Sequence, residues 1–135
     1  MVEKGVFLAD RGIAMGQVSN RVLVVDDDQG ILDSFEVLLG DRYDLLKAGN
    51  GYEALEILER TPPKLMFLDI KMPGLDGIDV LNKLRREHKD VSVVVITASS
   101  QEKMEEEVKS LGAIAYLRKP LDIFEIDGIA SRVLS

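Results

Sequence analysis

Cysteine and tryptophan are both absent from the chain, and histidine occurs once, at position 88. Without cysteine there can be no disulfide staple, no thiolate metal site and no thiol nucleophile. With one histidine and no recognisable partners for it, a hydroxyl or thiol triad is unsupported. Aromatic residues are scarce, at three Tyr and four Phe, which leaves little with which to sandwich a flavin ring. No apolar run approaches the ~20 residues needed to cross a bilayer. The opening segment lacks the long apolar stretch of a secretory signal, because Asp10 and Arg11 interrupt it. A chain so constituted can fold in a reducing compartment without cross-links, and the cytoplasm is its expected location.

What is present is the balance of a soluble globular protein, 46% hydrophobic and 30% charged over 135 residues. That length suits one ordinary domain with a buried core. The 17 basic and 24 acidic residues leave a formal charge of −7. A surface of that sign gains nothing from counterion release, so nucleic acid is not expected as a direct partner. A metal cation or a basic protein surface suits it better.

From Arg21 onward, short apolar runs alternate with amphipathic stretches. The runs are Val22–Val25, Tyr43–Ala48, Leu65–Leu68, Ser92–Ile96 and Ala115–Leu117. They are too short for helices and read as strands covered on both faces, the polar second run lying at an edge. Between them, Ile31, Phe35 and Leu38 recur at helical spacing with Leu32 and Leu39 beside them, and Gly40 offers a stop. Asn50 with Glu53 reads as an N-cap and capping residue. Asp76 opens a third helix with Ile78, Val80, Leu81 and Leu84 on its inner face. Ser99 with Glu102 reads as a capping box before Met104, Val108 and Leu111, ended by Gly112. A last helix places Ile123, Ile126, Ala130 and Val133 inward, weakened by Gly128 in its interior.

This order predicts a (βα)₅ α/β domain, a doubly wound parallel five-stranded sheet with right-handed crossovers. The flavodoxin-like strand order 2-1-3-4-5 would make strands one, three, four and five neighbours, with the ligand site at their carboxyl ends. Asp26, Asp27 and Asp28 end the first strand, Asp69 the third and Thr97 the fourth, and the fifth runs into Lys119. Carboxylates ~5 Å apart repel by ~3 kcal/mol per pair at an effective dielectric of 20. Mg²⁺ (or Mn²⁺) would offset that charge, since it takes oxygen ligands, often one or two carboxylates with waters and a phosphate. Lys119 suits a phosphoryl oxygen. The Thr97 hydroxyl and the Ala98 backbone N–H can serve others. A carboxylate can accept a phosphoryl group as an acyl phosphate. Pro73 and Gly74 would form a turn over the site.

Taken together, Val-Leu-Val-Val-Asp-Asp-Asp at 22–28, Leu-Asp-Ile-Lys-Met-Pro-Gly-Leu-Asp-Gly at 68–77, Ile-Thr-Ala at 96–98 and Tyr-Leu-Arg-Lys-Pro at 116–120 resemble the two-component response-regulator receiver domain. The resemblance covers roughly residues 21 to 134, and all four pieces occur in order at family spacing. It implies that Asp69 is the phosphoacceptor, supplied by the phosphohistidine of a sensor histidine kinase or phosphotransfer protein. Asp27 and Asp69 would bind the metal directly, with the Lys71 carbonyl, and Asp26 through water. Thr97 and Tyr116 would be the switch pair. The fourth helix, fifth strand and fifth helix would form the face for an output protein or a second copy. A cis bond before Pro120 is also implied. Lys71 and Ser99 would stand at the mouth through which hydrolytic water approaches, so that Lys71 shields the acyl phosphate and prolongs its life. The domain would then be a phosphoacceptor that assists its own chemistry rather than an enzyme with a separate substrate.

Each residue alone has a plainer reading. The run Asp26–Asp28 could be a helix-capping cluster, the preferred reading for Asp28. Asp69 could end a strand, Thr97 could be a cap, Lys119-Pro120 an ordinary loop and Tyr116 packed core. These readings do not explain why the groups share one rim. His88, among Arg85, Arg86 and Lys89, suits a helix C-terminus, and Glu102, Glu105, Glu106 and Glu107 suit a solvated helix face. A flavodoxin-like electron carrier would share the fold, but three aspartates after the first strand would repel its phosphate. A haloacid-dehalogenase-like phosphatase would need an acid two residues past the nucleophile, where this chain has Lys71. Residues 1–20 match nothing in the family and read as an extension of unknown role, a tag or a misplaced start with Met15 as another candidate. Residues 21–135 read as the receiver domain, either stand-alone or part of a longer protein.

Overall fold

The computed structural model describes residues 20–87, 90–98 and 102–134; residues 1–19, His88 and Ser99 lie outside them. Strands and helices alternate: β1 (Arg21–Val25), α1 (Gln29–Leu39), β2 (Asp44–Ala48), α2 (Gly51–Arg60), β3 (Leu65–Asp69), α3 (Gly77–Glu87), β4 (Ser92–Thr97), α4 (Glu102–Ser110), β5 (Ala115–Arg118) and α5 (Ile123–Leu134). The five strands form one sheet in the order β2-β1-β3-β4-β5, with every neighbouring pair parallel. This is the expected doubly wound, flavodoxin-like arrangement, with the polar strand β2 at an edge.

Successive residues of a strand point to opposite faces, so a sheet covered on both sides needs apolar residues at every position. Leu23, Val25, Met66, Leu68, Val93 and Val95 enter one core, with Leu58 of α2, Leu81 of α3 and Val108 of α4. The alternate residues Val22, Val24, Leu65, Phe67, Val94 and Ile96 enter the other, with Phe35 of α1 and Ile126 of α5. Phe35 meets Phe67 with ring centroids 5.0 Å apart in a tilted pair, which fastens α1 over β3. No helix among the described residues is long and apolar enough to cross a membrane.

The helix ends follow the cap chemistry read from the sequence. The Asp28 carboxylate accepts the Gly30 N–H at 2.8 Å and caps α1. Asn50 accepts the Glu53 N–H at 2.9 Å, while the Glu53 carboxylate reaches back to the Gly49 N–H at 2.7 Å. Asp76 and Asp79 cap α3 reciprocally, each accepting the other's N–H, at 3.0 and 3.2 Å. After α4, the Gly112 N–H meets the Lys109 carbonyl and the Ala113 N–H that of Val108, the paired bonds of a Schellman ending.

Gly40 stops α1 as expected, as its C-cap, keeping right-handed helical angles (φ −61°, ψ −27°). One expectation needs correction. The inner face of α5 is Ile126, Ile129 and Ala130, and Ile123 is 56% exposed. Asp122 caps this helix by accepting the Phe124 N–H at 2.8 Å, which places Ile123 in an uncovered first turn.

Gly128 is exposed within α5, and a Cβ there would have no neighbour within 4 Å. Gly128→Ala is therefore expected to raise stability by roughly 0.5–1 kcal/mol, by removing glycine's entropy from a helix interior. Urea unfolding checks this, and an unchanged or lowered midpoint would contradict it.

Candidate functional site

The carboxyl ends of β1, β3, β4 and β5 meet at one rim because these strands are adjacent. The Asp26 N–H, one residue past β1, still donates to the Ala48 carbonyl at 3.1 Å. One Asp26 carboxylate oxygen accepts the Asp28 N–H at 2.9 Å. The three consecutive acids thus divide their work: Asp26 is buried, Asp28 caps α1, and Asp27 lies exposed between them.

Asp69 closes β3 opposite Ile96, and the Ile70 N–H extends the pairing by donating to the Ile96 carbonyl at 3.1 Å. The chain then turns through Pro73 and Gly74, where Gly74 takes φ 78°, a left-handed conformation that favours glycine. The loop closes when the Gly77 N–H donates to the Ile70 carbonyl at 2.9 Å. A Cβ at position 77 would stand 2.4 Å from the Asp69 carbonyl oxygen, so only glycine lets α3 start this close to Asp69. The motif contains Gly77, but the sequence does not reveal this contact, because it joins residues whose approach depends on the loop's path.

Lys119 is placed by its own backbone, whose N–H donates to the Thr97 carbonyl at 2.9 Å. The Lys119–Pro120 bond is cis, as the resemblance implies. The ammonium lies 3.0 Å from one Asp26 oxygen and 3.8 Å from Asp69. Carboxylate oxygens of Asp26, Asp27 and Asp69 all lie within 4.8 Å of one another. Asp26 and Asp69 are only 1% and 3% exposed. Burial, and then the charge of Asp26, push the Asp69 carboxyl up to about 6; Asp27 adds to the rise, while Lys119 and the backbone N–H of Lys71 oppose it. Burial by itself lowers Lys119, but its hydrogen bond to Asp26 and the charges of Asp69, Asp26 and Asp28 hold it above its ordinary value.

Among the described residues, the Lys119 ammonium pairs with two members of this three-carboxylate group, Asp26 and Asp69. The buried Asp26 oxygen beside Lys119 pairs with that ammonium at 3.0 Å and accepts no backbone N–H. An all-oxygen donor set with excess negative charge fits a small hard divalent cation such as Mg²⁺.

Thr97 is fully buried at the end of β4, and Ala98 follows it at the surface. Tyr116 is half-buried on β5 opposite Val95, packed against the core under α2, α3 and α4. Burial, and then the charge of Glu105, raise its phenol. The Lys71 side chain is exposed beside the loop. The structure therefore gathers Asp26, Asp27, Asp69 and Lys119 directly, and sets Thr97, Ala98 and Lys71 at the ends of the same strands.

The model of the response regulator receiver domain family matches residues 22–130. Sporulation initiation phosphotransferase F of Bacillus subtilis is 36% identical over 118 residues, covering 87% of this chain and 95% of that protein. Transcriptional regulatory protein PdtaR of Mycobacterium tuberculosis is 38% identical over 111 residues, 81% of this chain. The chain spans 54% of PdtaR's length. A response regulator receiver domain protein (CheY-like) of Methanospirillum hungatei superposes with a TM-score of 0.79 at 28% identity, covering 84% of this chain and 93% of that one.

Asp69 binds a proton more tightly folded, near pH 6, than at its ordinary 3.8. Without a divalent cation, stability should therefore fall as pH rises from about 4 to about 6, with the loss complete above that. The difference of about two pKa units sets a ceiling of roughly 3 kcal/mol. Asp69→Asn is expected to be more stable than the unaltered chain near neutral pH in EDTA, with the gain vanishing toward pH ~4. Urea unfolding at the two pH values checks this; equal stability near neutrality would contradict it.

Proposed function

Since the chain belongs to the response regulator receiver domain family, we propose that it is a phosphorylation-controlled signalling switch whose phosphoacceptor is Asp69. The observation that carries this reading is a buried carboxylate grouped with Asp26 and Asp27 and 3.8 Å from the Lys119 ammonium. The donor is the phosphohistidine of a sensor histidine kinase or phosphotransfer protein, and the name of the B. subtilis relative, a phosphotransferase, supports transfer chemistry. An Asp69 oxygen forms the new P–O bond while the P–N bond to the donor imidazole breaks, and that nitrogen takes up a proton.

Asp27 and Asp69, with the Lys71 carbonyl, would hold Mg²⁺ or Mn²⁺ directly, and Asp26 through water. When bound, the cation offsets negative charge shared between the carboxylates and the phosphoryl oxygens. Lys119 leaves its pairing with Asp26 to meet a phosphoryl oxygen, and the Thr97 hydroxyl and Ala98 N–H receive others. Drawing Thr97 toward the phosphoryl group makes room for Tyr116 to turn inward, which changes the α4–β5–α5 face offered to an output protein or a second copy. The receiver domain spans 21–135, with residues 1–20 an extension, and it works in the cytoplasm as a signalling domain that assists its own phosphorylation and dephosphorylation.

Acetyl phosphate with Mg²⁺ is expected to add one phosphoryl group, read by intact mass. EDTA should suppress the addition and Asp69→Asn should abolish it. Undiminished labelling of Asp69→Asn would overturn the assignment. Lys71 sets the lifetime by occluding the in-line approach of water, while Ser99 is too short to position a water strongly. Lys71→Asn should therefore lose phosphate severalfold faster after donor removal, a change requiring only ~1 kcal/mol. Loss at the unaltered rate would remove Lys71 from that role.

A further inference from the structure

Three methionines lie among the described residues, and their sulfurs differ in access. Met66, within β3, is fully buried and Met72 is 7% exposed. Met104, in the first turn of α4, is only half-buried. Met104 and Met72 line one open cavity of about 420 Å³ between the loop after Asp69 and α4, with Lys71, Pro73 and Ile78 around them. Small solutes therefore reach the Met104 thioether more readily than the other two.

The attachment of α4 depends on few side chains. Val108 is its one buried residue, and all its others except Met104 are exposed. Spaced at i, i+4 and i+7, Met104, Val108 and Leu111 form an apolar stripe against the core that also contains Met72. Met104 anchors the amino-terminal end of that stripe. A thioether packs there as a flexible apolar group. A sulfoxide is polar, and burying its oxygen without a hydrogen-bond partner is costly. We propose that Met104 is a site of reversible oxidation by hydrogen peroxide, whose sulfoxide releases the first turn of α4 from the core. The sulfur attacks one peroxide oxygen as the O–O bond breaks. Sulfur keeps that oxygen and gives up two electrons, and the proton it carried passes to the departing hydroxide, which leaves as water. A methionine sulfoxide reductase reverses the step. Because α4 belongs to the output face of the proposed switch, oxidation acts on that face without touching Asp69; this consequence alone rests on the reading above.

Dilute hydrogen peroxide on the whole chain, followed by peptide mapping by mass, should place one oxygen on Met104 roughly tenfold faster than on Met66, since oxidation follows exposure. Amide exchange at 102–111 should then speed up severalfold, while exchange in β1, β3 and β4 stays unchanged. A methionine sulfoxide reductase should restore both the mass and the slow exchange. Met104→Leu keeps an apolar side chain without the oxidisable sulfur, so peroxide should leave its α4 exchange unchanged. Met104→Gln, polar and of similar length, should exchange fast there without peroxide. Asp69→Asn should behave as the unaltered chain in every arm, which separates the inference from the phosphoacceptor reading. Oxidation of Met104 no faster than of Met66 overturns the site. Unchanged α4 exchange once Met104 is oxidised overturns the release, as does faster exchange in peroxide-treated Met104→Leu or loss of protection throughout the sheet.

Discussion

The crowding of Asp26, Asp27 and Asp69 beside the Lys119 ammonium is the constraint on which the rest of the site depends. Two of the three carboxylates are almost fully buried, and all three come within 4.8 Å of one another. Lys119 answers part of that charge, from 3.0 Å for Asp26 and 3.8 Å for Asp69. The remainder stays uncompensated, and burial, with the charge of Asp26 added to it, makes Asp69 hold its proton to about pH 6. A fold selected for stability alone would place apolar residues here, because removing like charges from water costs more than their hydrogen bonds return. The two apolar cores on either face of the sheet carry that cost.

The same frustration gives the rim its chemistry. A carboxylate surrounded by like charge binds a cation tightly, and the cation in turn favours the ionised form needed for attack on phosphorus. Lys119 is a mobile point charge that can exchange one anion for another without leaving the rim. Its backbone is tied to Thr97, so rearrangement of either residue bears on the other. In the function proposed above, phosphoryl acceptance and signalling would therefore draw on one set of contacts.

Backbone contacts, more than side chains, hold this arrangement in place. Gly77 admits the first turn of α3 against the Asp69 carbonyl, and Gly51 admits α2 against Leu75. The reciprocal caps of Asp76 with Asp79, and the Asn50 cap on the Glu53 N–H, satisfy N–H groups at the starts of those helices. The loop that carries Lys71 is bounded by two helix starts. Its position is thereby set by packing on both sides.

The element order, the two-faced burial of the strands, the edge position of β2 and the capping roles of Asp28, Asn50 and Asp76 were all legible in the sequence. They follow from local chemistry: apolar runs of strand length, helical spacing, and side chains that bond to their own neighbours. The gathering of Asp26, Asp27, Asp69 and Lys119 was legible too, once strand ends were combined with a strand order. Ile123 was misplaced because it lies in the uncovered first turn of α5, and periodicity reports the face of a helix but not where its cover ends. Gly51 and Gly77 gave no such signal, since their contacts join segments brought together by the path of a loop. Sequence by itself determined which groups could react and on which rim they lie, because those depend on residue type and a period of two or 3.6. Only the tertiary structure decided their separations, the proton held by Asp69 and the clamping of the loop, because burial and interatomic distance arise when separate elements pack.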